Sequence, residues 1–600
     1  MGEVILNQKI NGSDLIEWFH YGALEVGLHK KHLNEINVFP VADGDTGTNL
    51  VSTLRAMVEI PKRKDAFGGM MTGISEAGMA NARGNSGIIF ASYINGLAME
   101  SAAYDEIGKK EFSHAAFKAV DYLYEAIENP VKGTMITVIS DWAEFLFSNH
   151  EKYLGFEDFF AAAYKRAKES LERTTSQMEI LRKNNIVDAG AQGFVNFLKG
   201  INRFFLKGKE ESMREEAIDL PFHFDGEVIA EKQYCTEFFI RLKQEGSNSS
   251  DIVADIKNEL KSKGDSIIVF SHDDKVKVHV HADQPEVVVQ ALLDYGSILE
   301  QKIEDMRFQN NVKIHQNSRI ALVTDSIADL PDDFKLEQQI HTLSLGLLFG
   351  ETAYLDKQTI KLHQLAGLIK NAEEYPTSSQ PEPGRVRTLL EELAENYDSI
   401  IFISVSGRLS GTFQTVSREA KKLLELGKKI TVIDSRLNSG AQGLLVKRAA
   451  ELIHLGRTHE EIVAELEKSI PNTKIYVCLD TLDYAVMGGR VSNTVGRIGK
   501  MVGLRPIMTL DEKGGGATFS AALSKEGITR KIFKVVRKTM EEKGIEAYSI
   551  VHAENLELAL EYKKKLVGII GKEPEFISEI SSIVAIHSGI GTVAVCIRSN

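Results

Sequence analysis

The sequence predicts a multidomain protein: an all-α region, then a small α+β segment, then an α/β region built on a parallel sheet. Three observations carry this expectation. In the first two hundred residues, apolar positions recur at helical spacing behind glycine-rich loops. In the middle, "KVKVHVHAD" alternates with period two. From Arg319 onward, short β-rich runs alternate with helical patterns. The 600 residues are too many for one core, at about 150 residues per domain. The expected divisions are 1–205, 206–317 and 318–600.

The helical region comes first. Behind "NVFPVADGDTGTNL", Leu50, Val51, Leu54, Met57 and Val58 mark one helix face. Behind "ARGNSG" an apolar stretch opens at Ile88, and behind "VDAGAQG" Phe194, Val195, Phe197, Leu198 and Ile201 mark another face. Each glycine-rich loop therefore opens a helix. "KGKEESMREEAIDLPFHFDGE" is charged and reads as a linker. "SIIVF" and "KVKVHVHA" then read as strands, and "FQNNVKIHQNS" is a second polar boundary. "RIALVTDS", "SIIFISVS", "KITVIDS" and "KIYVCLD" are short β-rich runs, which marks a parallel α/β sheet. Ligands of such sheets sit beyond the carboxyl ends of the strands.

Composition bounds the function. The chain is 43% hydrophobic and 26% charged, with a net charge of -13. No basic surplus exists for a dedicated nucleic-acid binder. The three cysteines, Cys235, Cys478 and Cys596, suggest neither a disulfide framework nor a CxxC site. "MGEVILNQKINGSD" lacks the pattern of a signal peptide. "ISSIVAIHSGIGTVAVCI" reads as buried strands rather than a membrane span. The expected location is cytoplasmic.

Asp43 and Asp45 flank Gly44, so two carboxylates on one tight loop can face one small cation. Oxygen ligands suit Mg²⁺, which takes the rest of its shell from water and phosphate. The following helix start favours an anion. "RGNSG" has the same design without the acids. A DGD taken alone is most often a turn. An EF-hand fails because Gly47, Thr48 and Leu54 stand at ligand or glycine positions. No Walker-type loop occurs.

"NVFPVADGDTGTNL", "ARGNSG", "PVKGTMITVI" and "VDAGAQGF" resemble, in order, motifs of the catalytic subunit of bacterial fatty acid kinase, whose N-terminal domain is of the DhaL type found in dihydroxyacetone kinases. The resemblance covers roughly residues 1–205. It implies an all-α helical barrel closing on ATP, with Mg²⁺ held by Asp43, Asp45 and, in a third ligand's place, Asn37. It further implies that Thr46, Thr48, Asn49, Asn85, Ser86, Gly87, Thr134 and Asp188 serve the nucleotide. Ala42 and Leu50 replace the usual proline and methionine.

In "KVKVHVHAD", Val276, Val278 and Val280 face one way and Lys277, His279 and His281 the other. That polar face is either a solvated strand face or a pair of histidines meeting a phosphate. A zinc site there lacks an obvious third ligand. "YCTEFFI", "GDSIIVF", "KVKVHVHAD" and "KIEDMR" resemble the middle domain of the same fatty acid kinase. This implies that His279 and His281 act in phosphoryl transfer, with Arg307 a weaker candidate.

The last part carries "VTDSIADLP", "PTSSQPEPG", "SVSGRLSGTFQ", "VIDSRLNSG", "GGRV" and "IHSGIGT". Serines and threonines cap helices everywhere, so none of these is telling alone. Together they resemble the DegV family of fatty-acid-binding proteins over residues 319–600. The resemblance implies a two-lobed α/β domain with an apolar tunnel for the acyl chain. Ser378, Ser379, Ser410, Gly411, Thr412, Arg490 and His587 would hold the carboxyl end, with Arg490 and His587 also supporting catalysis. Phe413 stands where tyrosine is common, and "LSLGLLFGETAYLD" lacks a usual proline.

The combined expectation is an ATP- and Mg²⁺-dependent kinase that phosphorylates the carboxylate of a fatty acid. The alternatives are a glycerone kinase and a lipid carrier with an inactive kinase part. Expected partners are ATP, a fatty acid, an acyltransferase or separate DegV-type carrier, a transient membrane contact and a second copy of the chain. Nucleic acid is not among them.

Overall fold

The computed structural model describes residues 9–39, 44–60, 66–206, 231–243, 249–479, 483–488 and 505–600. The expected linker lies outside this set. Contacts divide the chain into two units, residues 1–313 and 314–600.

Unit 1 begins with helices α1 (Gly12–Leu28), α2 (Thr46–Val58), α3 (Phe67–Asn81), α4 (Gly84–Ser101), α5 (Lys109–Ala126), α6 (Met135–Asn149), α7 (Phe156–Gln177) and α8 (Ala189–Phe205). Asn11 starts α1 with a reciprocal cap. Its side chain accepts from the Asp14 N–H, and Asp14 returns the contact to the Asn11 N–H. The helices enclose a core in which Trp18 meets the rings of Phe112, Phe156, Phe160 and Phe205. Burying such rings is the main driving force for this region. Two glycines let α1 and α8 touch. A Cβ on Gly200 would fall 2.3 Å from the Tyr21 carbonyl oxygen, and one on Gly22 would fall 2.2 Å from the Phe197 ring.

The rest of unit 1 is a four-stranded antiparallel sheet of β1 (Tyr234–Leu242), β2 (Gly264–His272), β3 (Lys275–Ala282) and β4 (Gly296–Asp305), in the order β2-β3-β1-β4. The alternation read in "KVKVHVHAD" is present, with one difference. Neither face is solvated: Lys277, His279 and His281 are buried, as are Val276, Val278 and Val280. The cause is packing, since Phe239, Ile268 and Phe270 of the sheet join the aromatic core of the helices. Helices α9 (Ser249–Leu260) and α10 (Pro285–Leu292) pack on β2 and β4. Helix α11 (Met306–Ile314) runs through much of the polar "FQNNVKIHQNS" boundary.

Unit 2 is α/β. Strands β5 (Ile320–Asp325), β6 (His341–Leu343), β10 (Ser399–Ser404) and β11 (Lys429–Asp434) form a parallel sheet ordered β11-β10-β5-β6. Between β6 and β10 in sequence lie β7 (Gly346–Phe349), β8 (Thr352–Leu355) and β9 (Thr377–Ser379), a small sheet of their own. The fourth expected parallel strand belongs elsewhere. Strand β12 (Thr473–Cys478) pairs antiparallel with β13 (Arg505–Leu510) and β17 (Val593–Ser599) in a second sheet, which also holds β14 (Gly516–Ala522), β15 (Ile545–His552) and β16 (Ile577–Glu579). Run composition alone does not separate parallel from antiparallel burial. The stretch expected to be all strand is half helix, since residues Ser582–Ser588 form a short helix capped by Ser581. Among the described residues no helix is long and apolar enough to cross a membrane. Helix α14, numbered after α12 (Pro383–Asn396) and α13 (Thr412–Glu425), spans Ser439–His454 and packs on both large sheets.

Because no space exists beside the Tyr21 carbonyl, Gly200→Ala should force α1 and α8 apart. The expected loss is about 1–3 kcal/mol, visible in calorimetry as a lower melting transition. Gly427→Ala makes the opposite control for packing, because nothing lies within 4 Å of its Cβ position, although its φ of +81° carries its own strain.

Candidate functional site

A small cleft opens in unit 1 where two of the glycine-rich loops meet the polar face of the middle sheet. Asn37, Asp45, Thr46 and Asn49 line one side, and Gly84, Asn85 and Ser86 line another. Cys235, His281 and Glu304 come from the sheet. Asp45 occupies the N-cap position of α2, and its carboxylate does not cap that helix. Its carbonyl accepts the Asn49 N–H at 2.8 Å, which fixes the first turn. Asn37 is 3% exposed. Hard oxygen donors beside a helix start fit Mg²⁺ and phosphate. Asp43, the other expected ligand, lies outside the described residues, as does Arg490.

Other expected nucleotide residues are placed behind the cleft. The Thr48 N–H donates to Asn34 Oδ1 at 3.1 Å, and its hydroxyl accepts from Asn34 Nδ2 at 3.0 Å. Gly87 faces Thr53, whose hydroxyl would lie 2.5 Å from a Cβ there. The Thr134 hydroxyl donates to the Val131 carbonyl at 2.8 Å. Asp188 caps α8 by accepting the Ala191 N–H at 2.8 Å. A Cβ on Gly190 would lie 2.9 Å from Ser86 Oγ and 3.4 Å from Asp188 Oδ1, so Asp188 and Ser86 approach the same glycine behind the cleft. Burial pushes its pKa up to about 6, against the pull of the Ala191 and Met135 N–H groups.

The polar face of the sheet is set by register. On β1, Cys235 stands opposite His281 and Glu237 opposite His279; across the other edge they face Glu304 and Lys302. Glu237 is paired with Lys277 at 3.3 Å. Burial alone would raise the Glu237 pKa. The charges of Lys277, Lys302 and His279, with the Gly84 N–H, outweigh it and hold the carboxyl at about 2. Burial lowers the His279 ring to about 3, helped by His281, Lys277 and Lys302 and opposed by Glu237. Burial also lowers His281, against Asp265 3.7 Å away. Burial thus disfavours the charged form of both rings.

Cys235 offers the third ligand atom that the sequence left unidentified. Cys235, His279 and His281 offer ligand atoms all within 4.8 Å of one another. His279 Nδ1 lies 3.9 Å from Cys235 Sγ, and His279 Nε2 is buried without a hydrogen-bond partner. One thiol and two imidazoles suit a zinc-class ion. Cys235, Glu237, Lys302 and Glu304 escaped sequence reasoning, although "YCTEFF" places Cys235 and Glu237 two apart on one strand face. Arg307 is exposed on α11 and acts on Asp283.

In unit 2, Ser378 and Ser379 lie on β9 opposite Leu347 and Gly346. The Ser410 and Thr412 hydroxyls are 2.8 Å apart at the start of α13. Gln380 joins the two places: its side chain fills the space beside Gly411 and accepts from the Thr415 hydroxyl at 3.2 Å. His587 is on the short helix Ser582–Ser588, beside Gly488. The Tyr375 hydroxyl donates to the Ile586 carbonyl at 2.5 Å, which ties that helix to the segment leading into β9. The acids of "VTDSIADLP" turn inward. Asp329 accepts from Lys357, from the Ser439 hydroxyl and from the Ser581 N–H, so it is a bracket within the unit.

Comparison with known proteins matches residues 40–203 to the DAK2 domain, 231–313 to the fatty acid kinase A-like middle domain, and 319–600 to the uncharacterised DegV family. The chain joins a DAK2 domain, a fatty acid kinase A-like middle domain and a DegV domain. The protein YloV of Bacillus subtilis is 30% identical over 331 residues, 52% of this chain and 59% of that protein. A DegV domain-containing protein of Clostridium acetobutylicum is 29% identical over 283 residues, 46% of this chain and 98% of that one. The alignments to YloV and to an uncharacterized Staphylococcus saprophyticus protein span 59% and 62% of those relatives' lengths. A solved DegV family protein of Thermus thermophilus, described by its fatty acid binding, is 26% identical with a TM-score of 0.44, covering 47% of this chain and all of that one. The cleft thus lies between residues matched to the DAK2 domain and residues matched to the middle domain.

Two measurements follow from these placements. Cobalt titration of the metal-free chain should give a thiolate-to-cobalt absorption band that Cys235→Ser removes. Asp188 has a folded pKa of about 6 against 3.8 when free. Its penalty on folding is absent below the lower value, grows between the two and is complete above the upper one. Asp188→Asn should therefore stabilise the DAK2 domain near pH 7.5, by at most about 3 kcal/mol. The advantage should shrink by more than half near pH 4.5, as read by calorimetry.

Proposed function

We propose that the protein is an ATP-dependent kinase whose acceptor is the carboxylate of a fatty acid carried by its DegV domain. The observation that supports this most is the cleft in unit 1, where hard oxygen donors, a helix start and the middle sheet converge. The matches to a DAK2 domain and to a fatty acid kinase A-like middle domain support the kinase class. The acceptor follows from the DegV match and from the sequence motifs that it shares. The working divisions remain 1–205, 206–317 and 318–600.

In this reading Asn37 and Asp45, with Asp43, hold Mg²⁺, which screens the phosphate charge when bound. Asn85 and Ser86 present backbone donors to the phosphates, and Thr46 and Asn49 close the opposite wall. A carboxylate is already ionised at neutral pH, so no side chain has to remove a proton. A carboxylate oxygen forms the new bond to the γ-phosphorus while the bond to the β–γ bridging oxygen breaks. The electron pair leaves with ADP, and the product is an acyl phosphate. Ser378, Ser379, Ser410, Gly411 and Thr412 hold the acid end of the lipid, with Arg490 and His587 adding to the charge-binding set. Each buried methylene of the acyl chain stabilises binding by about 0.8 kcal/mol, enough for a carrier without a covalent bond. His281, which lines the cleft, and His279 beside it are the candidates for assisting phosphoryl transfer, and the same pair with Cys235 offers a ligand set for an ion.

Incubation of the full chain with ATP, Mg²⁺ and oleate, followed by hydroxylamine, should trap acyl hydroxamate. Asp45→Ala should reduce this signal at least a hundredfold and leave oleate binding intact. Ser410→Ala should weaken oleate capture with ATP binding unchanged. Phosphorylation of glycerone in place of oleate, or no hydroxamate at all with oleate bound, would sink the carboxyl-kinase reading.

A further inference from the structure

The second glycine loop is held from an unexpected direction. The Gly84 N–H, first in α4, donates to Glu237 Oε1 at 2.7 Å, across 153 positions of sequence. On its other side Gly84 is pressed by Asn49, whose amide nitrogen would lie 2.2 Å from a Cβ; the glycine φ is +59°. Gly84 is therefore pinned between a cleft residue of α2 and a carboxylate of the middle sheet.

Glu237 is built to stay there. It is 2% exposed and paired with Lys277 at 3.3 Å, itself nearly buried. It sits on the central strand β1, flanked by His279 on β3 and Lys302 on β4. A carboxylate that left these partners would leave a buried charge uncompensated. The Gly84 N–H is consumed by this contact. The donors left to face the cleft belong to Asn85 and Ser86, and their direction follows from the peptide that Glu237 fixes.

We propose that Glu237 is a positioning residue that holds the Gly84–Ser86 turn and thereby sets the affinity of the cleft for the phosphates of a nucleotide. The proposal rests on the kinase reading above, and it makes the middle domain part of the nucleotide site. The Lys277 and Lys302 charges offset the carboxylate, so it anchors the turn without repelling an incoming phosphate.

The test compares Glu237→Ala, Glu237→Gln and Glu237→Asp in the full chain. Hydrogen exchange over residues 83–87 reads the anchor without nucleotide, and calorimetric titration with ATP and Mg²⁺ reads affinity. Losing a hydrogen bond to a charged acceptor predicts that Glu237→Ala speeds exchange and weakens ATP about tenfold or more. Oleate binding should not change. Glu237→Gln keeps an acceptor oxygen for Gly84 but strands the Lys277 charge, so it is combined with Lys277→Met, and this double variant should restore both readouts to within about threefold of wild type. Glu237→Asp keeps the charge beside Lys277, withdraws from Gly84 and should resemble the alanine variant, which covers the case in which alanine fails to fold. Wild-type exchange and ATP affinity in the aspartate variant would overturn the proposal, as would a Glu237→Gln, Lys277→Met chain as impaired as the alanine variant. A wild-type chain that binds no ATP would overturn the kinase reading, and the exchange arm would still decide the Glu237 contact.

Discussion

A carboxylate and an ammonium 3.3 Å apart, each less than a tenth exposed, survive folding only together. Removing either leaves a bare charge in a low-dielectric interior, at about 3–5 kcal/mol. The Glu237–Lys277 pair constrains everything near it. It requires β1 and β3 to pair in one register, because a slip of one residue would turn one of the two charges to the apolar side of the sheet, away from its partner. That register brings Cys235 against His281 and Glu237 against His279. It also leaves one carboxylate oxygen for the first N–H of α4. The thiol–imidazole cluster and the glycine loop are thus organised by one electrostatic requirement.

Two buried acids, Glu237 in unit 1 and Asp325 in unit 2, meet the cost of burial differently. In unit 1 the carboxylate is kept ionised by lysines across the sheet. In unit 2, Asp325 accepts the Val405 and Ile327 N–H groups and the Gln442 amide, and burial still pushes its pKa up to about 6. Asp329 instead gathers Lys357, Ser439 and Ser581. These acids tie β5 to the core helix Ser439–His454 and to the C-terminal segment. They hold the DegV scaffold on which the hydroxyl-bearing loops sit. Their position at a strand end is where a ligand site is expected, but these acids are taken up by contacts within the unit.

Much of this was legible before any coordinates. Helical spacing behind "DGDTGTNL", "ARGNSG" and "VDAGAQG" marked three helix starts, and all three are present. The order of all-α, α+β and α/β parts follows from the change of period along the chain. Strand direction was less legible: "KIYVCLD" has the same apolar run as its parallel counterparts, and only its partners make it antiparallel. The site was half legible. Asp45, Asn49 and Ser86 are on local motifs that border the cleft. Thr48 and Gly87 belong to the same motifs but point to Asn34 and Thr53, because successive residues of a helix turn about 100° apart. Cys235 and Glu237 gain their roles from pairing with residues about 44 positions away, which no local pattern reveals.

The cramped setting of Gly84 has a bearing on how such a cleft can diversify. A side chain at this position would collide with Asn49 and adopt a backbone conformation that non-glycine residues avoid. Descendants of this chain are therefore barred from reshaping the cleft there by substitution. Drift in what the cleft accepts has to run through the two following positions or through the distant strand whose Glu237 holds the Gly84 N–H. A mutation in the middle sheet thus becomes an accessible evolutionary handle on a cleft built largely from the helices.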